Sequence, residues 1–206
     1  MIRYDEKEMK YISNKHPIMK TLVEHYGKVE MGKVNDIYTS LTLHIIGQML
    51  ANSVSEVLIR RFIVLVGEIT PENILCAGIE KIRECGISRK KAEYILELSN
   101  NVIEGIYDFA RLSSMSDDEA VKYLMQIKGV GKWTAEMVVE FTMGRLNIFC
   151  YEDVALQNGI MKAHGFKTLS KVRFERLRKL YSPYCSVASL YYYAFNDDRS
   201  KWLIGN

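Results

Sequence analysis

Ile127-Lys128-Gly129-Val130-Gly131-Lys132-Trp133-Thr134-Ala135 decides how this chain is read, and Asp153 follows it twenty residues after Trp133. Upstream, Ser116-Asp117-Asp118-Glu119 has the form of a capping box, in which the Ser hydroxyl and the Glu side chain each satisfy a free backbone amide. Ala120, Leu124 and Ile127 then recur at helical spacing, so a helix is expected to end near Ile127. Gly129 and Gly131 are expected to supply the positive φ angles and open backbone of a tight turn, and 134–143 reads as a second helix ended by Gly144. The expected unit is a helix-hairpin-helix. Amides of the turn and of the second helix's first turn would point outward with partial positive charge, an arrangement that accepts phosphate without reading base sequence. Two glycines between helices also make an ordinary loop, so the glycines alone leave both readings open.

Outward from that stretch the pattern is helical almost throughout, which predicts an all-α fold. Helices are expected over 16–26, 36–48, 53–66, 71–77, 79–84, 88–104, 108–111, 117–127, 134–143, 153–163, 170–181 and 183–195. Pro71 after Thr70 and Pro183 after Ser182 read as the first helical residue behind an N-cap. A chain of 206 residues, 48% hydrophobic, sustains a core in one domain or two small lobes. No apolar run approaches the roughly 20 residues that cross a bilayer, and Met1-Ile-Arg-Tyr-Asp-Glu-Lys-Glu lacks the apolar region of a signal peptide. The expectation is a cytoplasmic, nucleoid-associated protein with no membrane partner. Cys76, Cys85, Cys150 and Cys185 match neither a zinc spacing nor a disulfide framework and are expected to be buried free thiols.

The net charge of +3 does not by itself point to nucleic acid, but its distribution is uneven. Lys162, Lys167, Lys171, Arg173, Arg176, Arg178 and Lys179 face Glu175 alone in their stretch, and Arg173, Arg176 and Lys179 fall on one side of one helix. Phosphates would favour such a face, although most charge runs are simply solvated. Asp153 precedes the apolar-periodic Val154, Leu156, Ile160 and Met161, so it stands at a helix start where the dipole favours a carboxylate. An aspartate there is ordinarily a cap, and Glu152 is a rival carboxylate.

The residues from Ile127 to Ala135 resemble the hairpin of the helix-hairpin-helix DNA glycosylase superfamily, and Trp133 with Asp153 resembles its 3-methyladenine DNA glycosylase II branch. Ile46-Gly47-Gln48-Met49-Leu50 is similar to that family's G-Q-x-L/V-S/A segment. Gly86-Ile87-Ser88-Arg89-Lys90-Lys91-Ala92 is similar to G-I/L-S-x-x-K-A, and Pro183-Tyr184-Cys185-Ser186-Val187-Ala188 to P-W-R-S-x-A. The segments run in the family's order over about 17–197. The resemblance implies two helical lobes with the hairpin at the cleft: an N-terminal segment, 1–36, packing with the C-terminal lobe; a central lobe, 37–126; and the hairpin with the C-terminal lobe, 127–206. It also implies a chain without the N-terminal β-domain of longer relatives.

The same resemblance implies the site. Asp153 would be the catalytic carboxylate, since cleaving an N-glycosidic bond builds positive charge on the deoxyribose that a carboxylate stabilises; it would also orient the attacking water. Trp133 stands where bifunctional relatives such as 8-oxoguanine glycosylases carry a nucleophilic lysine, and an indole forms no Schiff base. The implied enzyme is monofunctional and leaves an abasic site, with the adjacent Lys132 a phosphate contact. Trp133 and Tyr193 would line a pocket whose rings attract a cationic alkylated purine, by about 0.5 to 2 kcal/mol. Tyr191 and Tyr192 adjoin Tyr193, and three consecutive tyrosines cannot all face one pocket. Gln48 and Met49 would meet DNA, with Met49 the wedge that fills the gap left by the flipped base; the alternative for Met49 is an ordinary core residue.

Gly129, Gly131, Lys132, Trp133 and Thr134 complete the implied DNA-binding set. Backbone carbonyls of Met125, Ile127 and Val130 would hold a monovalent cation, Na+ or K+, while no other cofactor is required. The cysteines lack the C-terminal clustering of the iron-sulfur branch, so no cluster is expected. The implied partner is double-stranded DNA containing damaged bases, bound by a monomer. Two departures stand out: Cys185 replaces the arginine of P-W-R-S, and Val154 follows Asp153 where a tyrosine is frequent. The reading is thus a glycosylase for alkylated purines in base-excision repair. Its rivals are an oxidised-base or mismatch glycosylase with AP lyase activity, and a non-catalytic lesion-binding module.

Overall fold

Most helix starts in this chain are fixed by a side chain that accepts from a backbone amide, which satisfies a donor the helix itself leaves open. The computed structural model describes residues 2–30 and 36–197. Asp5 caps α1 (Glu6–Ser13), and its own backbone amide donates to the Glu8 carboxylate in a capping box. His16 Nδ1 accepts from the Ile18 amide to open α2 (Pro17–Tyr26), and Asp36 does the same from Thr39 for α3 (Ile37–Gly47). By contrast, α4 (Asn52–Val66) begins without a side-chain cap. Thr70 caps α5 (Pro71–Glu84), in which Gly78, at φ 72° and ψ 167°, makes the break expected between 71–77 and 79–84. Ser88 opens α6 (Arg89–Ile103), Asp108 opens a 3-10 turn (Phe109–Ser114), and the Ser116–Glu119 capping box opens α7 (Asp117–Leu124). The remaining elements are α8 (Lys132–Met137), a π-helical turn (Val138–Thr142), α9 (Val154–His164), α10 (Lys171–Tyr181) and α11 (Cys185–Asp197). The fold is all-α, with no strand among the described residues.

The chain divides into two compact units, 1–34 with 139–206, and 35–138. In the discontinuous unit, Ile12, Met19 and Leu22 from the N-terminal helices join Leu156, Ile160, Phe174, Tyr181, Tyr191 and Phe195 in one core. Phe149 stacks on Phe174 with ring centroids 4.6 Å apart. Hydroxyls tie the early segment to the late one, because Tyr11 donates to Ser182 O at 2.6 Å and Tyr191 to Gly27 O at 2.8 Å. α9 and α11 meet across Gly159, where any Cβ would run into the Tyr192 carbonyl. In the continuous unit, Leu41, Ile45 and Ile46 of α3, Phe62 of α4, Ile74 and Ile82 of α5, and Ile95 and Leu98 of α6 are buried. Ser99 Oγ and Tyr38 OH meet in that core at 2.7 Å.

Several expectations need correction. α1 was not anticipated, although Asp5 and Glu8 carry its capping signal. The last helix starts at Cys185, and Ser182 is instead the C-cap of α10, its amide donating to Arg178 O. The second hairpin helix begins at Lys132, ahead of Thr134, and gives way to the π turn before Gly144, whose φ is 73°. The continuous unit ends at Val138, and the discontinuous one resumes at Val139. Cys76 is exposed; the other three thiols are buried, and all four are free. Among the described residues, no single helix is long and apolar enough to cross a membrane.

Candidate active site

In the continuous unit, the hairpin turns where α7 ends. The Val130 amide donates to Ile127 O at 3.0 Å, and Gly129 adopts φ 86° with its α-carbon backed against the Tyr94 ring, which leaves no room for a side chain. Gly131 does not have the expected positive φ. It sits extended at φ −87° and ψ 176° as the N-cap of α8, and it offers no side chain to that helix's first amides. Its role is openness, since nothing lies within 4 Å of where a Cβ would stand. Lys132 and Trp133 occupy the first turn, and Lys132 Nζ lies 3.5 Å from Glu136 with about half its side chain exposed (52%).

Gln48 joins this hairpin to the α3–α4 turn. Its Nε2 donates to Gly129 O at 2.9 Å and to Thr134 Oγ1 at 3.2 Å, so the Thr134 hydroxyl faces the protein interior. Met49 next to it is fully exposed, which removes the reading of an ordinary core residue. Trp133 is half-buried and meets the His44 ring edge-on, centroids 5.7 Å apart. Burial lowers the His44 pKa, which favours its neutral form. A cavity of about 490 Å³ opens here, lined among others by Ser40, His44, Gln48, Met49, Ser55 and Trp133. That volume lies within the roughly 300–1,000 Å³ common for small-ligand sites. His44 and Ser40 were missed from sequence, the only signal being polar residues inside an otherwise apolar helix.

In the discontinuous unit, Asp153 is the N-cap of α9. Its Oδ1 accepts from the Leu156 amide at 2.7 Å, and the residue is 6% exposed. Such burial is unusual for an aspartate whose only task is capping, since caps generally sit in water. Tyr193, on α11, lies with its ring 5.9 Å from that of Phe141. Burial pushes the Tyr193 hydroxyl's pKa far up, and the neighbouring charges of Glu140 and Asp153 add to it, so it is a neutral phenol. Glu140, wholly buried in the π turn, was not anticipated, although a lone carboxylate inside Val138-Val139-Glu140-Phe141 was its signal. Tyr191 and Tyr192 are core residues: Tyr191 bonds Gly27 O, and Tyr192 meets the Tyr181 hydroxyl at 2.9 Å and His164 at 2.9 Å. Glu152, the rival carboxylate, is exposed.

The two departures also have places. Cys185 Sγ donates to Arg178 O at 3.1 Å, and burial pushes its thiol up to about 12, which makes it unreactive. Val154 is 67% exposed at the first turn of α9. In the basic run, Lys162 donates to Phe195 O at 2.8 Å, Arg173 lies over the Phe166 ring, and Arg178 pairs with Glu175 at 2.7 Å. Part of that charge therefore serves the fold. Among the described residues no three His, Cys, Asp or Glu side chains gather as metal ligands.

Known proteins resemble this chain in sequence and fold. Residues 44–183 match the family described as HhH-GPD superfamily base excision DNA repair protein. A Bacillus subtilis protein provisionally named a DNA-3-methyladenine glycosylase is 30% identical over 90% of this chain and 72% of its own length. The crystal structure of a Bacillus halodurans DNA-3-methyladenine glycosidase superposes with a TM-score of 0.82 at 30% identity, covering 94% of this chain and 90% of that one. The Schizosaccharomyces pombe 3-methyladenine DNA glycosylase in complex with abasic DNA gives 0.82 at 25% identity, covering 91% and 95%. The chain belongs to the HhH-GPD superfamily of base-excision DNA repair proteins.

Proposed function

We propose that this protein is a monofunctional DNA glycosylase that hydrolyses the N-glycosidic bond of alkylated purines, of the 3-methyladenine type, in duplex DNA. The observation that carries the reading is Asp153, a nearly buried carboxylate held by the Leu156 amide at the start of α9. Alkylation at N3 or N7 makes the base cationic, so the C1′–N bond breaks with its electron pair going to the base, which leaves neutral. Positive charge then develops on the sugar. The Asp153 carboxylate opposes it and takes the proton released as water oxygen bonds C1′. The products are free base and an abasic site.

The other roles follow from chemistry of the same kind. Trp133 offers a ring face that attracts a cationic base, and a neutral His44 beside it adds no repulsion; Tyr193 is the second aromatic assigned to the base by the family resemblance. Met49 enters the space the base vacates, on a turn that Gln48 anchors to the hairpin. Amides around Gly129, Gly131, Lys132, Trp133 and Thr134, with the Lys132 ammonium, take DNA phosphates. Carbonyls of Met125, Ile127 and Val130 suit a monovalent cation: they are neutral oxygens, Met125 lies just past the last turn of α7, and Ile127 O keeps a second lone pair beyond its bond from Val130. That ion would hold the turn in shape. The protein acts as a monomer on damaged double-stranded DNA in the nucleoid, without an iron-sulfur cluster.

Release of free base from methylated duplex DNA tests the reading. Wild type should release it and Asp153→Asn should not; equal release by both sinks the mechanism, and none by either favours a lesion-binding module. Borohydride should trap no covalent complex, whereas trapping would mean an amine nucleophile and a lyase. A substrate panel of 3-methyladenine, 7-methylguanine, hypoxanthine and 8-oxoguanine fixes the lesion class.

A further inference from the structure

Lys91 lies on α6, outside the cavity and the hairpin, yet its Nζ donates to Ile46 O at 2.8 Å and to Gln48 O at 2.7 Å. Ile46 is in the last turn of α3, and Gln48 immediately precedes Met49. An ammonium at a helix C-terminus satisfies carbonyls that have no partner within the helix and complements the dipole there. Burial lowers the Lys91 pKa, so the contact has a desolvation cost that these two acceptors offset.

The turn it grips is strained. Met49 is the one non-glycine residue with positive φ among those described, at 58°, a conformation that costs an L residue about 1 to 2 kcal/mol. Its side chain is entirely exposed, with a relative accessibility of 101%, so in the free protein the strain is not repaid by burial. Strain of this kind, maintained by surrounding structure, belongs to functional loops more often than to cores. The turn is held from two sides: Lys91 takes carbonyls on α3's end, and Gln48 Nε2 reaches Gly129 O and Thr134 Oγ1 in the hairpin. The Leu50 amide closes it by donating to Gly47 O at 3.2 Å.

We propose that Lys91 is a positioning residue for base extrusion: by clamping the Ile46 and Gln48 carbonyls it locks the 47–50 turn with Met49 projecting outward, ready to enter the duplex. The loop is then ordered during folding and not at the moment of DNA contact, which lowers the cost of reaching the extruded state. This inference rests on the glycosylase reading above and on Met49 as its wedge.

The test uses Lys91→Met, which keeps the stem without the charge, beside Lys91→Gln, which keeps a donor, and Lys91→Arg, which keeps the charge. Amide exchange at Met49 and Leu50 in the free protein is expected to quicken in the methionine variant while cooperative melting persists. Excision of a paired alkylated purine should fall by about 10- to 100-fold, the size expected for lost bonds to a charged group. Excision of the same lesion opposite an abasic site, where extrusion is easier, should fall much less, and Lys91→Arg should recover most of the paired rate. Combined with Met49→Ala, Lys91→Met should cost little more than the larger single loss, since both act on one step. Equal losses on both substrates, additive losses with Met49→Ala, or unchanged exchange and excision would overturn the role. If Lys91→Met does not fold, the same comparisons with Lys91→Gln decide. Absence of base release by wild type would overturn the glycosylase reading and this role together, whereas an active wild type with indifferent Lys91 variants overturns this role alone.

Discussion

Under the proposed mechanism Asp153 has two jobs, cap and carboxylate, whose costs separate cleanly. As a cap it is replaceable by asparagine, which accepts from the same amide about as well, so Asp153→Asn should leave the melting temperature nearly unchanged. As a carboxylate it is not replaceable, and base release should drop by about 100-fold or more, the scale of losing one group aimed at developing charge. Asp153→Ala adds a stability loss of about 1 kcal/mol, visible in urea unfolding, that the asparagine variant lacks. Lys132 allows a different comparison. If its ammonium meets a phosphate, Lys132→Met should reduce the salt dependence of DNA binding by about 0.9 in the slope of log K against log salt concentration. An unchanged slope would confine Lys132 to its neighbour Glu136.

At the scale of elements, helix starts were legible where a short polar side chain precedes an apolar period, as at Thr70, Ser88, Ser116 and Asp153. Ser182 shows the limit of that rule: a serine before a proline reads as an N-cap, but here it is the C-cap of the preceding helix. The π turn after α8 was hidden because a shift in backbone register leaves the side-chain composition unchanged. Asp153, Trp133 and Met49 were singled out because the short segments that hold them resemble a known family's motifs. Lys91 stands at the lysine of the G-I/L-S-x-x-K-A segment, but its grip on the turn, like the place of His44, depends on a carbonyl or a ring distant in sequence. Gly159 gives an element-scale prediction. Alanine is the better helix former by about 1 kcal/mol, but a methyl group there meets the Tyr192 carbonyl and forces α9 from α11. The steric effect should win, with Gly159→Ala destabilising by about 1 to 3 kcal/mol in denaturant unfolding. A gain in stability would mean that the helices yield freely.

For the whole molecule, a histidine sets part of the acid limit. Burial, helped by the nearby His16 ring and Arg173, pushes His164 down to about 4, while its ring bonds the Tyr192 hydroxyl at 2.9 Å. The unfolded chain, with histidine near its ordinary 6.5, therefore takes up the proton first. Stability should be full above about pH 6.5 and decline as pH falls toward 4. Urea midpoints measured across that window should fall with acid in the wild type and fall less in His164→Gln; parallel curves would assign the decline elsewhere.

The order of residues in the two units also governs how the polypeptide is born. Residues 35–138 are contiguous and supply one unit entirely, whereas the other needs both 1–34 and 139–206. Translation delivers N-terminal parts first. The faces bearing Ile12, Met19 and Leu22 thus leave the ribosome well before Phe174, Tyr181 and Phe195 exist to cover them, and they must wait, open to chaperones, while a whole inserted body is synthesised behind them.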